Sequence, residues 1–458
     1  MTATANAAPL LTRAPPRDTG PRERRPLDFA VSVLLVLAFC LGPVKLLGVW
    51  WLGYLVPDAL ASLIVLAVAF ARSSARRPLF AQSALTAPMI FLGVWCVLAL
   101  FNPEAAPLRS LLGLRSWLLY LAFYFVGLYT FRSVRQLQRL YALLLTLGCA
   151  TGLYGIYQWI AGPQAFASWS DDYSRYAQLA WSATTGTVFR AFSTFVAPGT
   201  FADNMALLMM LAFGVVVSDG VPRRWRVAAA AAFATMGVAI IVSGSRGPVV
   251  RLALAGALMV LVLPGVRSKV QAVTRASVVV GLVLVVVGLQ VGSVASQRFA
   301  TILDPEAFFW KWFQPLVRGV EIALAHPMGM GLGYTAGVPQ FVADPLFRDL
   351  PTTNVDSGYG AAAAEMGLVG LLVFVYFAVE VGLRGVRAWR KLSPGPVKDL
   401  LLGPALMAGT YPVVSVIAQP QAALPSAIYF WLLIGMLIRA STRDHADRLL
   451  RSELHAGE

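Results

Sequence analysis

Residues 227–263 read VAAAAAFATMGVAIIV, then SGSRGP, then VVRLALAGALMVLVL. Two apolar runs, Val227 to Val242 and Leu252 to Leu263, flank a short polar turn. With its flanks, each run is long enough to cross a bilayer as a helix, which takes about 20 residues. The turn Ser243-Gly244-Ser245-Arg246-Gly247-Pro248 carries an arginine. A charge at membrane depth costs about 3 kcal/mol or more unless it faces water, a cavity or an anion. The planar guanidinium fork matches phosphate oxygens, which makes Arg246 a candidate anion ligand. The alternative is an arginine that snorkels to the interface.

The rest of the chain repeats this pattern. Of its 458 residues, 58% are hydrophobic and 13% charged, about half the charge content of an average soluble domain. Apolar runs separated by short basic loops predict an all-α, polytopic integral membrane protein, and the alternation of a membrane β-barrel is absent. Twelve transmembrane spans are expected, at about 28–48, 51–71, 82–101, 113–131, 140–161, 198–218, 226–243, 248–264, 276–293, 358–383, 400–418 and 423–439. With the N-terminus inside, the inner segments hold 26 of the 37 basic residues. The positive-inside rule then places both termini in the cytoplasm. Residues 1–26 read as a disordered tail, 27–439 as one transmembrane domain and 440–458 as a second cytoplasmic tail. The net charge of +15 follows from topology and lipid headgroups, with no basic domain to bind nucleic acid.

Two outer segments, about 162–197 and 292–357, exceed the length of simple connectors. The second is the one larger non-membrane region. Phe308-Phe309-Trp310-Lys311-Trp312-Phe313 predicts an interfacial helix there. Its continuation sets Arg318 one turn from Glu321, the spacing of an ion pair. Arg115, Arg175, Arg190, Arg246, Arg298, Arg318 and Arg348 lie on the outer side with few acids nearby in sequence. Arginines gathered at one membrane face suit a lipid-linked diphosphate, which two or three guanidinium groups would stabilise as a leaving group without a metal. Three cysteines and three histidines give no metal-ligand spacing, no nucleotide fingerprint is present, and no cofactor is expected.

Several stretches sharpen the outer face. Phe189-Arg190-Ala191-Phe192 leads into the sixth span, Ser245-Arg246-Gly247 follows the seventh, and Arg298-Phe299 precedes Asp304. His326-Pro327-Met328-Gly329-Met330-Gly331-Leu332-Gly333-Tyr334 then precedes Asp356-Ser357-Gly358-Tyr359 and Glu365-Met366-Gly367-Leu368-Val369-Gly370. Glycine at every second position from 329 to 333 predicts positive φ or a close approach of backbone to a neighbour. In order and spacing these motifs resemble the O-antigen ligase and polysaccharide polymerase family of bacterial inner membranes, over about 189–370. The resemblance implies a metal-independent, inverting, GT-C-like membrane glycosyltransferase with its site facing the periplasm. It implies an undecaprenyl-diphosphate-linked oligosaccharide as donor, and as partners membrane lipids, a chain-length regulator and other polysaccharide export proteins. Carried over, Arg246 and Arg190 would hold the diphosphate, with Arg318, Arg298, Arg115, Tyr359 and Glu365 as further substrate-binding candidates.

One departure matters. Where ligases of the family carry a histidine followed by asparagine, this chain has Asp356 followed by Ser357. That pattern is similar to polymerase-type members, and a carboxylate there is suited to accept the proton of an attacking sugar hydroxyl. The alternative for Asp356 is the N-cap of the tenth span. Glu365, two turns into that span, is expected to be partnered by an outer arginine and to orient structure or substrate. The function expected is therefore a polysaccharide polymerase. A ligase moving the finished glycan to lipid A core or protein is the alternative within the class. An anion transporter is the alternative outside it, disfavoured because the spans are nearly free of charge away from their ends.

Overall fold

The computed structural model describes residues 25–44, 50–80, 83–162, 189–195, 197–218, 221–262, 304–335, 355–419 and 423–442. Among them the chain is all-helical. The helices are α1 (Arg25–Phe39), α2 (Leu41–Val44), α3 (Trp50–Ser74), α4 (Thr86–Ala99), α5 (Pro107–Leu114), α6 (Phe123–Thr130), α7 (Val134–Ala161) and α8 (Pro198–Val217). They continue as α9 (Arg223–Val242), α10 (Gly247–Val262), α11 (Pro305–Trp312), α12 (Gln314–Ala325), α13 (Gly358–Lys391), α14 (Pro396–Leu400), α15 (Leu402–Val414) and α16 (Ser426–Ala440).

Among the described residues, six helices are long and apolar enough to cross a membrane: Leu55–Ser74, Pro107–Thr130, Val134–Ala161, Pro198–Val217, Arg223–Val242 and Gly358–Lys391. Four shorter apolar helices accompany them. Each expected span overlaps a helix except 276–293, which lies outside the described residues. The helix expected at 113–131 instead begins at Pro107, where proline pre-sets the first turn, and passes through a π-helical turn, Arg115–Leu119. The aromatic stretch is helical within α11 as far as Trp312, but no single helix continues through it, and Phe313 caps the next. Pro315 starts α12 as a new helix, since proline disfavours helical backbone before it. Arg318 and Glu321 are both exposed and form no ion pair, in contrast to the expected pairing.

Burial follows the residue pattern. Helix α16 is apolar on every side and nearly every residue in it is buried, the signature of a central helix. It packs on α6 through glycine, the means by which membrane helices bring backbones together. A Cβ at Gly127 would meet the Leu432 carbonyl, and one at Gly435 the Tyr124 carbonyl. Helix α3, by contrast, exposes Leu63, Leu66 and Phe70.

The helix ends sort into two sets. On one face the Gly42 amide donates to Thr194 O (2.8 Å), Ala191 N to Val242 O (3.2 Å) and Tyr359 N to Ser415 O (3.1 Å). On the other, Ser218 Oγ meets Asp399 (2.7 Å), Gln136 Nε2 donates to Asp28 (2.8 Å), and Tyr141 donates to the Leu400 carbonyl. The basic clusters Arg132/Arg135/Arg139, Arg223/Arg224/Arg226 and 384–398 all belong to this second face, opposite Arg246. The charge asymmetry of the sequence is thus a property of the fold.

Helix α13 breaks at Gly367, where φ is 71° and ψ −170°. The turn at 326–335 docks into the break. Met330 N donates to Ala364 O (2.8 Å) and Leu368 N to Pro327 O (3.3 Å). Gly329, Gly331 and Gly333 all have positive φ, as their alternation predicts. A Cβ at Gly329 would lie 2.6 Å from the Glu365 carbonyl carbon and the Gly367 nitrogen, so both reasons for glycine hold at once. A Cβ at Gly367 would collide with the Pro327 carbonyl. Gly367→Ala is therefore expected to destabilise the protein by about 2 kcal/mol or more, from left-handed strain plus overlap. Thermal melting in detergent checks this against Gly256→Ala, whose site is open and helical and should not lower the midpoint.

Candidate functional site

The turn between α9 and α10 is built from its own side chains. Ser243 ends α9, and its Oγ donates to Ile240 O (2.6 Å) and accepts from Ser245 N (3.1 Å). Gly244 reverses the chain at φ 60°. Arg246 is half-buried there, and partial loss of water pulls its pKa down from the ordinary value. Arginine starts so high that the group stays cationic at physiological pH. The Trp312 ring lies against Gly247, 3.5 Å from where a Cβ would stand, and so covers the start of α10 beside Arg246.

Arg190 comes to the same turn from 53 residues away. Its Nε donates to Ser243 O (2.9 Å) and its Nη2 to Ser245 Oγ (2.9 Å). The segment that carries it is clamped by Gln158 of α7. The Gln158 Oε1 accepts from Ser193 N (2.7 Å) and Phe192 N (3.3 Å), and its Nε2 donates to Ser193 O (3.0 Å). Ser193 sits at φ 55°, a left-handed conformation unfavourable for serine. The clamp and a bond from Ser193 Oγ to Thr151 O (2.5 Å) hold it there. Two arginines singled out separately in the sequence therefore share one turn, with the residues between them ordered by buried hydrogen bonds.

Asp356 is exposed, and its neighbours fix its backbone. Gln419 Nε2 donates to Val355 O (2.5 Å), and Gly358 N donates to Ala418 O (3.0 Å). The N-cap of α13 is Ser357, whose Oγ accepts from Gly360 N (3.1 Å). The capping alternative for Asp356 thus falls to its neighbour. Asp356 lies within electrostatic reach of Asp203 on α8. Asp203 in turn faces Arg251 on α10, Oδ1 to Nη2 at 3.4 Å.

Glu365 is buried, and its hydrogen bonds come from neutral donors rather than from an arginine. Trp117 Nε1 donates to Oε2 (2.8 Å), and Thr335 gives both its amide (2.9 Å) and its hydroxyl (2.7 Å) to Oε1. Arg109 contributes charge at longer range, while its Nη2 donates to Met330 O (2.7 Å). Asn102 Nδ2 holds the same turn through Gly329 O (2.6 Å). Neutral donors suffice because Glu365 faces the docked turn, whose backbone supplies the polarity.

The remaining sequence candidates do not join Arg190 and Arg246. Arg115 is engaged by Asp58 and Tyr120. Tyr359 is buried and donates to Pro412 O (2.7 Å). Arg318 lies exposed on α12. Arg298, Arg175 and Arg348 lie outside the described residues. His326 meets Glu104 at 2.8 Å on the surface. Sequence reasoning missed Gln158, Trp117 and the Asp203–Arg251 pair. Charges within the first turns of two apolar spans were the available signal for the pair. Neither a family model nor a curated protein matches this sequence.

Glu365→Gln replaces one acceptor oxygen by an amide that has to face donors. A cost of about 1–3 kcal/mol is expected, local to the docked turn. Hydrogen exchange should then quicken across 329–335 and not across α16; unchanged exchange at 329–335 would remove Glu365 from this role.

Proposed function

We propose that this protein is a polysaccharide polymerase. In this reading it works at the outer face of a bacterial inner membrane and joins undecaprenyl-diphosphate-linked repeat units. The observation that carries the reading is the meeting of Arg190 with the Ser243–Pro248 turn that bears Arg246. Two guanidinium groups on one turn at the membrane boundary suit a diphosphate, whose paired oxygens accept forked donors. The resemblance of the motif order to the O-antigen ligase and polymerase family supports the same ligand.

The chemistry is a single displacement. A hydroxyl oxygen of the incoming repeat unit bonds to the anomeric carbon of the growing glycan. The bond from that carbon to the diphosphate oxygen breaks, and its electron pair leaves with undecaprenyl diphosphate. Arg246 and Arg190 stabilise the charge that develops on the leaving group. Asp356, with its backbone fixed and its side chain exposed, takes the hydroxyl proton. Attack opposite the leaving group inverts the anomeric centre. Asp356 in place of a histidine favours polymerisation over ligation.

The test is elongation of a lipid-diphosphate-linked repeat unit by the purified protein, read as a ladder of glycan lengths. Arg246→Ala and Arg190→Ala should each slow elongation about a hundredfold or more, with melting temperature little changed for Arg246→Ala. Asp356→Asn should slow it by roughly 10²–10⁴. A full ladder from Arg246→Ala would overturn the mechanism. No ladder from the wild-type protein, with transfer to a lipid A core acceptor, would make it a ligase.

A further inference from the structure

The mechanism leaves unused a charged cluster next to the arginine turn. Arg251 sits on α10 five residues beyond Arg246, about 7.5 Å further along the helix axis. Its side chain is 2% exposed, yet its Nη1 meets no hydrogen-bond partner. Its Nη2 faces Asp203 at 3.4 Å, longer than a well-made charged hydrogen bond. The Asp203 side chain is 26% exposed and lies within reach of Asp356. Tyr429 closes the cluster from α16, sensing both Arg251 and Asp203 and donating to Asn204 Oδ1 at 3.1 Å.

A buried guanidinium with an idle donor, in a loose pair with a partly open carboxylate, is a poor structural ion pair, because burial is compensated only when each group is satisfied. It is a good binding pair. The sign of the cluster indicates for what. The Arg190–Arg246 turn carries two positive charges, whereas Asp203, Asp356 and Arg251 together carry one net negative charge. A phosphate would be repelled there. A sugar would not, since its hydroxyls donate to carboxylates and its oxygens accept from a guanidinium.

We infer that Asp203 and Arg251 form a sugar-binding subsite that grips hydroxyls of the lipid-linked glycan beside Asp356, while Arg190 and Arg246 hold the diphosphate. The inference rests on the proposed function and adds the residues that read the sugar. It gives the two poles separate ligands: bare undecaprenyl diphosphate needs only the arginine turn, and the glycan-bearing lipid needs both.

The experiment measures binding without turnover. The full chain in nanodiscs is titrated with undecaprenyl diphosphate and, separately, with the undecaprenyl-diphosphate-linked repeat unit. The wild-type protein should bind the glycan-bearing lipid about tenfold more tightly, the worth of one hydrogen bond to a charged group. Asp203→Asn, which keeps the side-chain volume, should erase that gain and leave the bare lipid's affinity unchanged. The double variant Asp203→Asn/Arg251→Gln, which leaves no lone charge, should do the same. A gain that persists in both variants overturns the subsite, as does the absence of any gain in the wild-type protein. Equal weakening of both lipids in both variants would make the pair structural only and overturn it too. The arginine turn is read separately: if Arg246→Ala binds bare undecaprenyl diphosphate as well as the wild-type protein does, the diphosphate reading fails.

Discussion

A carboxyl group buried in a membrane helix needs donors, and α13 has no backbone amide to spare for Glu365. The structure meets that need by bringing a loop to it. Thr335 supplies two of its hydrogen bonds and the Gly333 backbone another, and for both to arrive the preceding turn has to lie in contact with the helix. That contact is close enough to exclude side chains at Gly329 and Gly367 and to break the helix at the latter. Trp117 supplies a further bond and ties in the π-helical turn, while Asn102 and Arg109 hold the loop from the other side. One acidic side chain thus organises α13, the glycine turn and the α4–α5 connection. That block carries the start of α13, and with it Asp356.

Much of this architecture was legible in the sequence, for a simple reason. Apolar runs and basic loops are local signals, and a membrane converts them into helices and sides with little help from tertiary contacts. The alternation of Gly329, Gly331 and Gly333 was legible for the same reason, since a backbone requirement is written in the residue type. The partner of Glu365 was not. Charge counting points to an arginine, but Trp117 is 248 residues away and Thr335 acts partly through its main chain. No residue type announces a backbone amide. The N-cap was misread by one position, because Asp and Ser cap about equally well and the choice depends on where the helix starts.

The arginines show how far an unpaired look in sequence can be trusted. Arg115 and Arg190 both stand in acid-poor sequence. Arg115 is met by Asp58 from 57 residues earlier, across two helices. Arg190 is met by a carbonyl and a hydroxyl of the very turn that carries Arg246. The difference lies in charge. Asp58 neutralises its arginine, whereas a carbonyl and a hydroxyl orient the Arg190 guanidinium without themselves supplying a counter-charge.

The same distinction separates the two poles of the candidate site. Arg246, in the turn before α10, and Arg251, on α10, lie within two turns of each other, and Arg251 faces Asp203. Two bare arginines this close would form one diffuse positive region that binds any anion and favours no orientation. Pairing the deeper one with a carboxylate confines the positive potential to the turn and leaves a negative margin toward Asp356. A diphosphate lipid with a sugar attached is itself divided in this way, an anion joined to a polyhydroxyl body. On the proposed function, each end of such a lipid would be repelled or left unsatisfied at the wrong pole, and the field of the site would select a direction of binding as well as a ligand. For a displacement at the carbon joining those two parts, direction is what brings leaving group and attacking oxygen to opposite sides.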